Sequence, residues 1–242
     1  MSSFTILIAK KISPAASAML SADNIILLSQ EFISIRSSVT ENNKPELQQQ
    51  VIIDDQAAIL FTSKYAVSFG AELLPAHFAG MNIFCLQGVT SEYVRRYLGE
   101  GRIAGVASNA AELAHRVLEN KNFNKAVFFC GDKRREDLPS ILQEQGIPVK
   151  EIHVYQTILT PVAIGSRPDA LVFFSPSAVE SFFTLNTLSA TAVCFAIGDT
   201  TAAALASYTN ARIIVSSGVS EEKMMETVSA YIRETAITKD QH

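Results

Sequence analysis

Short apolar runs recur along the chain, and each gives way to serine, threonine, glycine or lysine and then to a helical pattern. The runs at 4–9, 57–61, 81–86, 102–107, 126–130, 170–174, 192–197 and 212–215 are mostly apolar at consecutive positions. That is the pattern of strands covered by helices on both faces. Two further runs, 25–28 and 32–35, lie near the start. Amphipathic stretches at 110–119, 134–145, 179–188 and 224–233 alternate with them and predict helices. Strand–helix alternation of this kind specifies an α/β fold with parallel sheets.

The pattern repeats itself. Phe61-Thr62-Ser63-Lys64-Tyr65-Ala66-Val67 has a counterpart in Phe173-Phe174-Ser175-Pro176-Ser177-Ala178-Val179. Gly88-Val89-Thr90-Ser91 returns as Gly198-Asp199-Thr200-Thr201, Arg102-Ile103 as Arg212-Ile213 and Glu112 as Glu222. All of these pairs fall at an offset of about 110 residues, and a single duplication is too short for a solenoid. Two similar parallel-sheet domains are therefore predicted. Each repeat still needs one more strand–helix unit. Residues 4–22 can supply it to the C-terminal half and 126–145 to the middle one. This predicts a discontinuous domain of 1–34 plus 159–242 and an inserted one of 37–154. The joining strands would form a two-stranded hinge near 35–38 and 154–158. A plain division at 120/121 is the competing arrangement.

In such sheets ligands gather beyond the carboxyl ends of the strands. The residues at those positions are uniform in kind: Thr62 and Ser63; Gly88, Thr90 and Ser91; Ser108 and Asn109; Gly131; Ser175 and Ser177; Gly198, Thr200 and Thr201; and 216–220. Helix N-termini with hydroxyls bind carboxylate or phosphate. Ordinary N-capping explains any one of these residues, and Ser175 before Pro176 is a good cap. Seven such ends facing one cleft would make a cradle of neutral donors suited to a ligand with several carboxylates. Lys64 and Lys133 sit at strand ends and are the favoured cations over Lys10, Lys11, Arg95, Arg96 and Arg134-Arg135. Tyr155 closes the run 149–155 at the proposed hinge, where its phenol could donate a proton or hydrogen bond to a leaving oxygen, or its ring could simply pack.

Composition narrows the classes. The 242 residues are 48% hydrophobic and 18% charged, with a net charge of −4, so no nucleic-acid or anionic-membrane partner is indicated. The apolar runs are far short of a bilayer span, which takes about 20 residues. With no targeting segment visible, the expected location is the cytoplasm. Cys85, Cys130 and Cys194, each inside a strand run, read as buried reduced thiols. The four histidines, His77, His115, His153 and His242, are scattered. No phosphate-binding glycine–lysine loop, dinucleotide fingerprint, nucleophile elbow or metal-ligand spacing is present, so neither a cofactor nor a metal is expected.

Taken in order, several segments resemble the uroporphyrinogen-III synthase family: Phe61-Thr62-Ser63 with Ala66-Val67; Phe129-Cys130-Gly131-Asp132 through Leu138, Leu142 and Gly146 to Val154-Tyr155; Phe174-Ser175-Pro176-Ser177-Ala178-Val179; and Ala196-Ile197-Gly198-Asp199-Thr200-Thr201-Ala202. Where that family often carries Arg-Pro after its first strand, this chain has Lys10-Lys11 with Pro14 later, and Gly88-Val89-Thr90-Ser91 departs from a Thr-Ala ending. The resemblance implies two α/β domains, one discontinuous, and a cofactor-free monomer. Its substrate would be hydroxymethylbilane, a linear tetrapyrrole with eight carboxylate side chains. The implied reaction removes the terminal hydroxyl as water and closes the ring with the last pyrrole inverted, through a spiro intermediate. Tyr155 and Thr200 would be the catalytic residues, Tyr155 assisting departure of the hydroxyl, and Thr200, Gly198 and Ser177 would hold carboxylates. Thr62, Ser63, Lys64, Thr90, Gly131, Lys133, Ser175 and Thr201 complete the expected substrate site. The rival is a two-lobed cytosolic binding or sensor protein without catalysis, which shares duplicated halves and a hinge. A nucleotide-sugar or dinucleotide enzyme is disfavoured by the missing glycine fingerprints.

Overall fold

The apolar runs become strands. The computed structural model describes residues 3–21, 24–51, 56–75, 82–120, 122–133, 137–189 and 191–239. Met81, His77, His242 and the pair Arg134-Arg135 lie outside them. The strands are β1 (Phe4–Ile8), β2 (Ile25–Ser29), β3 (Ile33–Ser37), β4 (Ala57–Phe61), β5 (Ile83–Leu86), β6 (Ile103–Ala107), β7 (Lys125–Gly131), β8 (Val149–Leu159), β9 (Ala170–Phe173), β10 (Val193–Ala196) and β11 (Arg212–Val215). The α-helices are α1 (Pro14–Ala18), α2 (Lys44–Gln50), α3 (Lys64–Gly70), α4 (Val89–Leu98), α5 (Ala110–Glu119), α6 (Asp137–Glu144), α7 (Pro176–Leu185), α8 (Asp199–Ala206) and α9 (Glu221–Lys239).

The strands form two sheets, in the orders β11-β10-β9-β1-β2 and β3-β8-β7-β4-β5-β6. The chain divides into two units: Met1–Ser34 with Ile158–His242, and the continuous stretch Ile35–Thr157. The same plan governs both. β9-α7-β10-α8-β11-α9 in one unit follows the order of β4-α3-β5-α4-β6-α5 in the other, and in each sheet an additional strand (β1 or β7) lies beside the first of the repeat. β1 pairs in parallel with both β2 and β9, so the N-terminal strand is interior to its sheet. β3 and β8 carry the chain across the division. Their hydrogen bonds, Ser38 N to Val154 O and Thr160 N to Phe32 O, run in opposite directions along the two strands and make the pair antiparallel.

Burial explains why the central strands read as unbroken apolar runs. In the continuous unit, Ile59, Phe61, Val127 and Phe129 face Ala66 and Val67 of α3 and Val94 of α4. Ala58, Leu60, Ala126, Phe128 and Cys130 face Leu113, Ala114 and Val117 of α5 and Leu138 and Leu142 of α6. Each strand alternates between two dry layers, so its buried positions are apolar on both faces. The discontinuous unit repeats this. Leu7, Leu171, Phe173 and Cys194 pack with α7 and α8, while Ile6, Ile8, Val172 and Phe195 pack with Ala16 of α1 and Met224, Met225 and Val228 of α9.

Helix α7 begins earlier and ends earlier than its hydrophobic pattern predicts. Ser175 caps it by accepting from Ala178 N at 3.2 Å, with Pro176 in the first turn. Asn186 ends it by donating to Phe182 O at 2.8 Å, while its amide also donates to Val162 O and accepts from Ile164 N, each at 2.8 Å.

Candidate functional site

Because the paired strands run in parallel, the residues that follow them collect at one edge of each sheet. In the continuous unit, Thr62, Ser63 and Lys64 follow β4, and Gly131, Asp132 and Lys133 end or follow the adjacent β7. Ser63 adopts an extended backbone and its hydroxyl accepts from Tyr65 N at 3.2 Å, which starts α3. Lys64 is half-buried with its ammonium 5.0 Å from the Tyr65 ring centroid, and Lys133 is exposed. One strand further along, Gly88 opens α4 at φ +74°, in the left-handed region that favours glycine. Thr90 and Ser91 behind it are buried in the first turn. Asn109 caps α5 by accepting from Glu112 N at 2.9 Å, and the Glu112 carboxylate accepts in return from Ser108 N at 3.0 Å and from the Ser108 hydroxyl. The Glu112 carboxyl is held below its ordinary value, chiefly by those Ser108 bonds.

Tyr155 belongs to this edge through an irregularity in the sheet. Cys130 pairs with His153, but Gly131 pairs with Tyr155, so the register of β8 shifts by one residue. Strict alternation would place Tyr155 on the face of His153 and Cys130. The shift instead packs it with Val154 and Phe129 on the α3 face. The backbone then clamps the residue: Asp132 N donates to Tyr155 O at 3.1 Å, and Thr157 N donates to Asp132 Oδ1 at 2.8 Å. The phenol hydrogen-bonds Ser63, and its ring lies 6.0 Å from that of Tyr65. Gly131 lies directly beneath the ring, where a Cβ would stand 2.3 Å from Tyr155 Cε2. Burial pushes the phenol pKa up. The Ser63 hydrogen bond works against that, and the neighbouring Cys130, Asp132 and Tyr65 add to the rise. The phenol is therefore a protonated donor at neutral pH.

In the discontinuous unit, Ser175 and Ser177 follow β9, and Gly198, Thr200 and Thr201 follow its neighbour β10. Thr200 is exposed in the first turn of α8, and Ser175 is half-buried. Ser177 and Thr201 are turned inward, at 8% and 1% exposure. Their hydroxyls are therefore turned from the edge, and Thr201 N donates to Gly198 O at 3.0 Å. The cation here is Lys10, directly after β1. Its ammonium sits 4.3 Å from the Phe174 ring centroid and 2.6 Å from the Glu221 carboxylate, which also accepts from Ser13 N at 3.0 Å. Burial acts to raise the Glu221 pKa, but the Lys10 and Ser13 hydrogen bonds outweigh it and hold the carboxyl below its ordinary value.

The structure thus groups Thr62, Ser63, Lys64, Gly131, Lys133 and Tyr155 on neighbouring strands of one unit, with Thr90 one strand away. Ser175, Ser177, Gly198, Thr200 and Thr201 are grouped on two neighbouring strands of the other. Sequence reasoning passed over Asp132 as a clamp and ranked Lys10 below Lys64 and Lys133. The signal for Lys10 was its place at the end of an interior strand. Concavities of about 590 Å³ beside Gly105 and Arg116 and about 580 Å³ beside Ser29 and Gln30 include neither Tyr155 nor Thr200. No helix among the described residues is long and apolar enough to cross a membrane.

Comparison with solved structures places this architecture. The chain is similar to uroporphyrinogen-III synthetase from Helicobacter pylori, at 19% identity over 96% of this chain and 100% of that one, with a TM-score of 0.62. It is also similar to a mutant uroporphyrinogen III synthase from the extreme thermophile Thermus thermophilus, at 15% identity over 98% of this chain and 100% of that one, with a TM-score of 0.65. At these identities the likeness establishes the two-domain α/β fold. The family model for uroporphyrinogen-III synthase HemD matches residues 28–226, most of the chain and both sets of strand ends. On that match the chain belongs to the uroporphyrinogen-III synthase family, the hydro-lyases that act on hydroxymethylbilane in tetrapyrrole synthesis.

Proposed function

We propose that this chain cyclises hydroxymethylbilane with Tyr155 as the group that meets the departing hydroxyl, and with strand-end donors holding substrate carboxylates. The observation that carries the assignment of Tyr155 is its placement: a register shift, a backbone clamp and a glycine floor hold a protonated phenol at the carboxyl edge of the sheet. The electron push comes from the substrate's own pyrrole nitrogen, so the terminal carbon–oxygen bond breaks readily. Tyr155 Oη donates to the leaving oxygen, which departs as water. The cation that remains is attacked by the terminal pyrrole at the α-carbon that already carries its methylene bridge, which gives the spiro intermediate. That bridge bond then breaks and re-forms at the ring's free α-carbon, so the ring is inverted. The proton lost as the ring system rearomatises goes to solvent. Because the bond-breaking step is easy, the chain's main contribution is conformational: it folds a flexible tetrapyrrole so that the correct carbon attacks.

The neutral donors suit that task. Gly198, Thr200 and the first turns behind Ser175 and Ser63 present N–H groups to carboxylates, while Lys64, Lys133 and Lys10 add charge near the strand ends. All the residues in this reading lie on one chain, so a monomer suffices. None of the three cysteines forms a disulfide, which fits a reducing compartment, and the cytoplasm is the proposed one.

The test generates hydroxymethylbilane in situ, adds the protein and separates the oxidised porphyrin isomers. Type III product is expected, with Tyr155→Phe lowering kcat by about 100-fold, the low end for a lost proton donor. Thr200→Ala is expected to act more through KM, as loss of a carboxylate contact does. Type I product alone from folded protein favours the non-catalytic binding reading. Near-normal turnover in both variants removes the roles given to Tyr155 and Thr200.

A further inference from the structure

The same register shift that sends Tyr155 to one face of the sheet leaves a different set of groups on the other. Before the shift, β7 and β8 are in plain parallel register, with Phe128 opposite Glu151 and Cys130 opposite His153. Glu151 and His153 are two residues apart on one strand, so both project to the face of Phe128 and Cys130, away from Tyr155 and Ser63. There the Cys130 sulfur, a Glu151 carboxylate oxygen and a His153 ring nitrogen all lie within 4.8 Å of one another. His153 Nε2 is 3.5 Å from Glu151 Oε2.

The geometry points to a divalent transition-metal site, of the zinc class, formed by Cys130, Glu151 and His153 on β7 and β8. Three arguments support it. The donor set is one soft sulfur, one imidazole and one carboxylate, which selects zinc or cobalt over magnesium or calcium. A tetrahedral zinc holds its ligand atoms about 3.5 Å apart, so these three close on an ion with side-chain movements of about 1 Å. Burial is also graded as an ion-binding site needs. Cys130 is buried, the Glu151 side chain is 18% exposed, and the His153 side chain is 52% exposed. The ion enters past His153, and the fourth position is left to water. Binding displaces the thiol proton and offsets the repulsion between a thiolate and a nearby carboxylate. Glu151 and His153 take no part in the proposed cyclisation, and Cys130 meets it only as a neighbour of Tyr155.

The experiment uses full-length, tag-free protein stripped of metal and titrated with cobalt(II), then with zinc(II) against a chromophoric chelator. One equivalent of cobalt is expected to give a sulfur-to-metal charge-transfer band in the near ultraviolet and the intense visible bands of a four-coordinate ion, both abolished by zinc. Cys130→Ser should remove the charge-transfer band. His153→Ala, at an exposed position that does not carry the fold, should weaken binding by about 100-fold or more, since even an outer-shell partner is worth about 10–100-fold. Glu151→Gln should weaken it as well. Absence of the charge-transfer band in the unaltered protein overturns the proposal. So does a band that survives His153→Ala at unchanged affinity, which would place the metal on another thiol. If Cys130→Ser fails to fold, the His153 and Glu151 variants decide the question.

Discussion

Gly131 gives the most direct handle on Tyr155. An alanine there would place its Cβ 2.3, 2.4 and 2.9 Å from Cε2, Cζ and Cδ2 of the ring, where ordinary contact is 3.4–4 Å. The ring must therefore retreat by about 1 Å, and its main chain cannot follow, because Asp132 and Thr157 bracket it. Overpacking of this kind costs about 1–3 kcal/mol of stability. A displacement of about 1 Å at a reacting group costs about 100-fold in rate. Gly131→Ala is therefore expected to fold, to melt at a lower temperature, and to lose about 100-fold in turnover in the isomer assay, with type I product rising as uncyclised substrate escapes. A double-mutant cycle isolates the cause. In a Tyr155→Ala background the ring is gone, and the stability penalty of Gly131→Ala should shrink to within about 0.5 kcal/mol of zero. A penalty that persists without the ring, or a Gly131→Ala enzyme with unchanged turnover, refutes the placement of Tyr155 above this glycine.

Other perturbations test the surrounding structure. Because the folded Glu221 pKa lies below the ordinary 4.5, its contribution is present above that value and lost as pH falls through the folded one. The urea midpoint of Glu221→Gln should trail the unaltered protein at pH 7, with the gap closing as pH falls below 4.5 through the folded Glu221 pKa; a constant gap rejects the Lys10–Glu221 linkage. Asn186→Ala removes three hydrogen bonds at the end of α7 and should cost about 2–3 kcal/mol in denaturant unfolding, whereas a change near zero means the cap is replaced by water. Burial pushes the Cys85 thiol up to about 11, against an opposing pull from Arg95, and pushes Cys194 up to about 12. Neither thiol should be alkylated by iodoacetamide at about pH 8 until the protein unfolds, and rapid labelling of either in the native state contradicts their burial.

Much of the fold was legible because burial on two faces leaves a plain mark. β4 has all five residues buried, and its run of two alanines, isoleucine, leucine and phenylalanine has no polar position to confuse with a helix face. Ser63, Asn109 and Ser175 were readable as helix starts, since each combines a short acceptor side chain with the turn that follows a strand. What the sequence concealed depends on register and distance. The shift that turns Tyr155 to the α3 face involves no glycine or proline in β8, so the run 149–155 predicts the opposite side. Thr201 and Ser177 share the residue type of exposed donors, yet helix packing turns their side chains inward. Lys10 and Glu221 meet from opposite ends of the chain, and Cys130 faces His153 from a neighbouring strand, so no local spacing announces either cluster.

The interior position of β1 has a consequence for how the protein is made. Of the strands described, β1 emerges from the ribosome earliest, but one of its two partners is β9, whose first residue is Ala170. At about 5–20 residues per second, the apolar run of β1 waits about 8–32 s for that partner, with one edge open. The continuous unit between them ends at Thr157, so its strands are synthesised before β9 begins at Ala170. Vectorial synthesis therefore favours completion of the middle of the chain while the first strand is still unpaired on one side. For that interval β1 is a segment that a chaperone must shield or a second nascent chain can capture.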